Sequence, residues 1–554
     1  MAADSRPHAA PPAPRGHRAR SRVAGVLAGA AALLFAGWLV AALLGAQPSL
    51  VEHPLLSVQL GRWTNVRLVA WLLLLAALAH PARDALLSRA DAFLSGRGQW
   101  LFPSGLAAFA VAFKVTQHLA FGTGAFDLSM YHSAVRYAWA PGPSFMWAFG
   151  IEHSFLGDHF SPVLLAFVPF DAVFRSPLVL LIGEAAVFGL GALTIAGTGR
   201  LLGLRPVLAQ LVAAVYATNV VCWDALAFDF HPETMLPACL FAALWALKAR
   251  RAGWSALSLL VTLSIKEDVA IVLIPMVALV WLDDRRRWRW PLAVTVLAAA
   301  WMLLAVGVAM PLARPPGIGW SMFQERYGDW GATPGEALRA LLSRPADVLR
   351  LVTGEAVTSR LRQLAWTPAL DPIGLLASIP ALLEQLVSRS ELQRGLQAYY
   401  GIGAAAVWLL ALSRAVRALS RRSLVAGLLL AAAPLLYRPT APSLARVNAQ
   451  DLEDARVLAA TIPPGETVAA QTTLVPHLPI SPAVRLFPTP GTTWVALRPA
   501  GNPWPLTGEA YRATVLHLLD VEGFGVVVRT PGLVLLRQGA PTAEVQAVKD
   551  ALPR

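Results

Sequence analysis

Four short runs gather the side chains that could carry chemistry. They are Phe126-Asp127-Leu128, Asp158-His159-Phe160-Ser161-Pro162, Asp229-Phe230-His231-Pro232-Glu233 and Lys266-Glu267-Asp268. Each lies beside or between apolar stretches, where an ionisable residue is costly and is a functional candidate by default. A carboxylate among Asp127, Asp158, Asp229, Glu233, Glu267 and Asp268 could act as general base toward an acceptor hydroxyl. Asp158, His159, Asp229 and His231 could hold a hard or borderline divalent metal, although no HExxH-like spacing is present. Lys266 could meet a phosphate as a point charge.

Each run also has a plainer reading. Ser161-Pro162 is a good helix start, an N-cap followed by proline at the first helical position. His231-Pro232-Glu233 looks similar, with Glu233 complementing the dipole. Lys266 and Glu267 could simply pair to permit burial. Together, acidic and basic groups converging beside one apolar bundle favour a polar cavity. The sequence has no P-loop, dinucleotide fingerprint, nucleophile elbow or zinc motif elsewhere.

The elements that position these runs follow from composition. Of 554 residues, 56% are hydrophobic and 14% charged, against roughly 25% charged in a soluble chain. Apolar runs at 23–44, 66–80, 105–121, 177–199, 206–222, 234–248, 255–265, 269–282, 290–312, 398–413 and 423–437 predict an all-α polytopic bundle of about eleven spans. Arg15, Arg18, Arg20 and Arg22 precede the first run, which puts a disordered N-terminus, 1–22, in the cytoplasm. Every second loop is basic thereafter, as the positive-inside rule requires. The basic groups at 248–251 and 285–289 both read as inside, so the chain between them crosses twice or re-enters, breaking at Lys266-Glu267-Asp268. This topology sets all four runs on the outer face, along with outer loops 122–176 and 313–397. An amphipathic stretch near 372–388 is expected on the membrane surface.

The net charge of +13 lies in the membrane portion, because residues 440–554 hold nine basic and nine acidic side chains. Topology explains that charge, and nucleic acid is not implied as a partner. Cys222 and Cys239 both sit in apolar runs, which excludes a disulfide scaffold. The tail, 440–554, reads as a small extracytoplasmic α/β domain. Strands are expected at 467–470, 483–487, 493–497, 524–529 and 533–537, with a helix at 508–519 and a hairpin turn at Thr530-Pro531-Gly532.

The four runs, with Pro169, resemble the FD-L, DHFSP, DFHPE and KED pattern of an uncharacterised bacterial family of large predicted membrane proteins. Val468-Ala469-Ala470, Pro476-His477-Leu478 and Gly532 to Arg537 resemble its tail segments, so the likeness runs from about 100 to 540. That family is distantly similar to the GT-C membrane glycosyltransferases. The resemblance implies a multi-pass protein of the bacterial cytoplasmic (inner) membrane that moves sugar from a polyprenyl-phosphate donor on the outer side. Asp127 then matches the catalytic acidic residue of the first outer loop, with Asp158 and Glu267 as further candidates. Lys266, His159 and His231 would meet the donor phosphate, directly or through a divalent metal, and Asp229, Glu233 and Asp268 would complete the cavity. One departure is that three spans precede Asp127 where that class usually has one. Competing readings are a transporter or lipid flippase with an outer-face polar cavity, and a non-catalytic receptor or assembly protein.

Overall fold

The structure, a computed structural model, describes residue 72 and residues 74–139, 154–286, 288–314, 321–437 and 442–552. The expected tail 1–22, the run 23–44 and the start of the run 66–80 lie outside them. The chain divides into two compact units, residues 1–96 with 441–443, and residues 97–440 with 444–554. The described part of the first holds the helix Arg83–Ser95. The second holds every candidate residue.

In the second unit the apolar runs do form helices. Leu101–Leu119 packs along Leu178–Leu201, which also packs against Pro206–Thr218 and Leu236–Ala249. Small residues allow the closest approach. A Cβ on Gly189 would fall 2.1 Å from the Ala107 Cα, so these two backbones nearly touch, a common device of membrane helix pairs.

The eleven-span expectation is corrected by helix length. Among the described residues, Leu178–Leu201, Arg289–Ala313 and Ile402–Ser420 are long and apolar enough to cross. A fourth is possible if Pro206–Thr218 and Val220–Ala227, bent by 47°, count as one span. The runs at 255–265 and 269–282 give helices of 12 and 13 residues. Twelve residues reach only about 18 Å at 1.5 Å each, well short of a hydrocarbon core of about 30 Å. Leu236–Ala249 and Leu424–Tyr437, 14 residues each, are also short. Leu101–Leu119 has the length, but Lys114, Gln117 and His118 lower its apolarity. The sequence pattern identified apolar helices and overcounted crossings.

The three spans differ in setting. Ile402–Ser420 is 78% buried, as a central helix is, whereas Arg289–Ala313 is 17% buried and exposes Leu292, Val296, Leu303 and Leu312. Apolar exposure along a whole span fits lipid contact. The 372–388 stretch forms two helices, not one, Pro372–Ala377 and Ile379–Leu386. It buries Ala381, Leu382 and Leu386, and packs on Ile402–Ser420. There the Trp408 indole donates to Ser378 Oγ at 3.1 Å, and Arg414 donates to Asp371 at 2.6 Å.

The C-terminal residues form a five-stranded sheet. Its strands are β1 (Val468–Ala470), β2 (Val484–Leu486), β3 (Trp494–Leu497), β4 (Phe524–Arg529) and β5 (Val534–Gln538), in the order β2-β1-β3-β5-β4. β1 runs parallel to β2 and β3, while β5 runs antiparallel to β3 and β4. Alternate residues of a strand face opposite sides, and both faces are covered. Ala469, Val495, Leu497, Val534 and Leu536 pack against Gly508–Asp520 and Val545–Ala551. Val468, Ala470, Trp494, Ala496 and Leu535 share the other core with Leu458 and with Phe121 and Ala125, which lie just before Asp127.

Candidate functional site

The turn that carries Asp127 is held from three sides. Residues Ala125–Ser129 form a single π turn that runs into the helix Met130–Arg136. Such turns recur at functional sites. At its entrance the Gly124 amide donates to both oxygens of Asp229, at 3.1 and 2.9 Å. The next amide, Ala125, donates to Thr472 Oγ1 of the C-terminal region at 3.2 Å. A Cβ on Gly124 would stand 3.0 Å from Asp229 Oδ2 and 3.3 Å from Thr472 Oγ1, so either oxygen would have to give by a few tenths of an ångström to admit one. Beyond the turn, His132 and Arg136 both bind Asp171, at 2.8 and 2.9 Å.

The C-terminal region closes over the same corner. His477 stacks on His118 with centroids 4.2 Å apart, and Arg498 lies over the Phe121 ring at 4.0 Å. Trp504 meets Phe126 edge-on at 5.6 Å, and the Tyr137 hydroxyl donates to the Ile480 carbonyl at 3.2 Å. His477 is therefore a contact between the C-terminal region and the bundle. Burial, with the His118 charge second, pushes it down to about 3.

Asp127 itself is 7% exposed. Its Oδ1 lies 3.4 Å from His231 Nε2. Burial raises its pKa well above the carboxylate range, Asp229 and Glu233 add to the rise, and Arg326 opposes it. Burial also raises Asp229, to about 6. His231 is pushed well down by burial, then by the charges of Lys266, His159 and Lys114. Its Nδ1 is buried without a hydrogen-bond partner among the described residues. Tyr399 stacks on its ring at 3.6 Å and 20°.

A second group adjoins the first through Glu233, two residues beyond His231. Lys266 Nζ lies 3.0 Å from Glu233 and 3.1 Å from Asp268. Glu267 accepts from His159 Nδ1 at 3.3 Å and from the Phe160 amide at 2.9 Å. Burial pushes Glu267 up, but the His159 hydrogen bond and charge, with Lys266, hold it at about 2. Glu384, on Ile379–Leu386, is raised by burial and shares a hydrogen bond with Asp268. Asp158 caps the turn Phe155–Gly157, its amide donating to the Phe155 carbonyl at 3.0 Å.

The structure thus joins Asp127, Asp229, His231, Glu233, Lys266, Glu267, Asp268 and His159 into one connected cluster. It does not assemble the metal set suggested by sequence. No group of three or more His, Cys, Asp or Glu among the described residues is placed to hold a metal ion. Asp229 faces Gly124 and His159 faces Glu267 instead.

Two residues escaped the sequence reading. Lys114, on Leu101–Leu119, and Glu184, on Leu178–Leu201, pair at 3.2 Å with both side chains fully buried. Lys114 also donates to the Phe228 carbonyl at 2.6 Å, and Glu184 accepts from the His231 amide at 3.1 Å. The pair holds the 229–233 loop at Phe228, just before it, and at His231, its middle residue. Both are lone charges within apolar runs, and the default applied to the four motifs applies equally to them.

A few long apolar helices, a buried ionisable cluster and a C-terminal α/β region outside the helices define a multi-pass membrane protein. Residues 117–498 match the family described as "Predicted membrane protein (DUF2079)". The match covers more than half of the chain, and the chain belongs to that family. No curated protein matches it. Among solved structures it is similar to one titled "Crystal Structure of ArnT from Cupriavidus metallidurans in the apo state", with 14% identity and a TM-score of 0.43, over 83% of this chain and 100% of that one.

Proposed function

We propose that the protein transfers a sugar from a polyprenyl-phosphate donor to an acceptor hydroxyl, on the extracytoplasmic face of the bacterial inner membrane. The observation that carries this reading is the Asp127–His231 pair at the corner between helices and sheet. A buried carboxylate with a raised pKa is tuned toward the range where general-base catalysis is efficient. Asp127 would take the acceptor proton as the acceptor oxygen bonds to the sugar C1. The C1–O bond to phosphate then breaks, and its electron pair leaves with the phosphate. The motifs resemble those of a family distantly similar to GT-C enzymes, which supports the same reading. In this proposal the N-terminus is inside and the C-terminal region outside.

The test is turnover of a radiolabelled polyprenyl-phosphate sugar by the purified protein, beside Asp127→Asn. Loss of a positioned base costs about 100-fold or more in rate. Equal product from both proteins would refute Asp127 as the base.

A further inference from the structure

If a phosphate leaves at this site, a cation must receive it, and the sequence nominated Lys266, His159 and His231. Each of these already faces a carboxylate. Lys266 has Glu233 and Asp268, His159 has Glu267, and His231 has Asp127. Lys114 has Glu184. Carboxylates repel phosphate, so a cation neutralised by them offers an anion little. Arg326, on the helix Ser321–Tyr327, differs. Its guanidinium donates to the Tyr400 hydroxyl, and among the described residues it has no carboxylate ion-pair partner.

The path from Arg326 to the candidate base is continuous. Tyr399 donates to the Tyr400 hydroxyl at 2.9 Å. The Tyr399 ring stacks on His231 at 3.6 Å, and His231 meets Asp127 at 3.4 Å. Asp127 lies within the field of Arg326. Arginine offers a planar fork of donors that matches two phosphate oxygens at once, which a lysine cannot do. A half-buried guanidinium without a countercharge is costly, and an anionic ligand removes that cost.

We propose that Arg326, with the hydroxyls of Tyr399 and Tyr400, anchors the oxyanion of a phosphate mono- or diester beside Asp127. The inference rests on the group-transfer reading above, yet binding tests it separately from turnover. The full-length protein in detergent is titrated with decaprenyl phosphate in mixed micelles, and separately with inorganic phosphate. Arg326→Gln should weaken binding at least tenfold, as expected for a lost charge-assisted hydrogen bond of about 1.4 kcal/mol or more. Arg326→Lys should recover part of it, and Arg456→Gln, an exposed arginine of the C-terminal region paired with Glu453, should change nothing. Thermal melting of each variant confirms that it is folded. Binding of inorganic phosphate alone, lost in Arg326→Gln, would keep the anchor and remove the lipid donor. Wild-type binding that Arg326→Gln changes less than twofold, or binding lost only in Lys266→Gln, would overturn the anchor. So would wild-type protein that binds neither phosphate.

Discussion

Replacing Lys114 by Met should be among the most damaging single changes in the bundle. Lys114 and Glu184 are both fully buried, 3.2 Å apart. Removing one partner strands the other charge in a low-dielectric interior, at a cost of about 3–5 kcal/mol. Two loop groups lose partners as well. The Phe228 carbonyl loses Lys114 in this variant, and the His231 amide would lose Glu184 in its counterpart. Each such bond is worth about 1 kcal/mol. The double variant Lys114→Met/Glu184→Leu buries no charge and forfeits those two bonds and the bond of the Thr234 hydroxyl to Glu184, about 3 kcal/mol. It should therefore be more stable than Lys114→Met by about 1–3 kcal/mol. The assay is reversible unfolding of the purified protein in mixed micelles, followed by tryptophan fluorescence, for wild type, both single variants and the double. The coupling energy from this cycle isolates the pair. Single-variant losses below about 1 kcal/mol, or a coupling near zero, would refute the claim that the pair holds the loop.

Thr472→Val should leave the Ala125 amide without its acceptor and cost about 1 kcal/mol. Hydrogen exchange should then rise in a peptide spanning 122–131, and Thr472→Ser should restore it. Gly124→Ala should also loosen this turn, because the new methyl crowds Asp229 and Thr472; unchanged exchange there would show that the approach is slack. His477 is lowered to about 3, so its contribution is present above the unfolded value near 6.5 and lost as pH falls through the window between them. At pH 5 the loss reaches at most about 2 kcal/mol at 1.36 kcal/mol per unit. His477→Phe, which keeps a stacked ring, should flatten this part of the stability profile, and an equally steep profile would assign the effect elsewhere.

Much of the fold could be read from local pattern. The five strands fall where short β-rich runs lie between turn residues, because two-sided packing demands apolar residues on both faces. The helices also fall on the apolar runs. Their number of crossings did not follow, since hydropathy reports burial without saying whether lipid or protein does the burying. Ala270–Leu282 is strongly apolar yet only 13 residues long, and it packs against Ile402–Ser420 and Pro372–Ala377. The candidate site was legible where charges cluster in sequence, as in 229–233 and 266–268. It was not legible where a single charge meets its partner from a distant helix, as Lys114 meets Glu184 and Arg326 meets Tyr400. Nor could any local pattern show that Thr472, some 350 residues away, completes the turn before Asp127.

That long-range bond changes what the C-terminal region is for. The amides of Gly124 and Ala125 are adjacent, and they are held by two different parts of the chain, Asp229 from the helical part and Thr472 from the sheet. Phe121 and Ala125 also lie in the apolar core of the sheet. Two anchors on neighbouring amides fix both the position and the tilt of the turn, whereas either alone would leave it free to pivot. Catalytic groups lose much of their effect when displaced by about 1 Å. As the proposed base, Asp127 therefore depends on the sheet for its orientation, and on burial first, with Asp229 and Glu233 second, for its raised pKa. Detaching the sheet would free the Ala125 amide and open the apolar seam at Phe121, while leaving the bundle's own Lys114–Glu184 clamp in place. The C-terminal region is on this argument a structural half of the site.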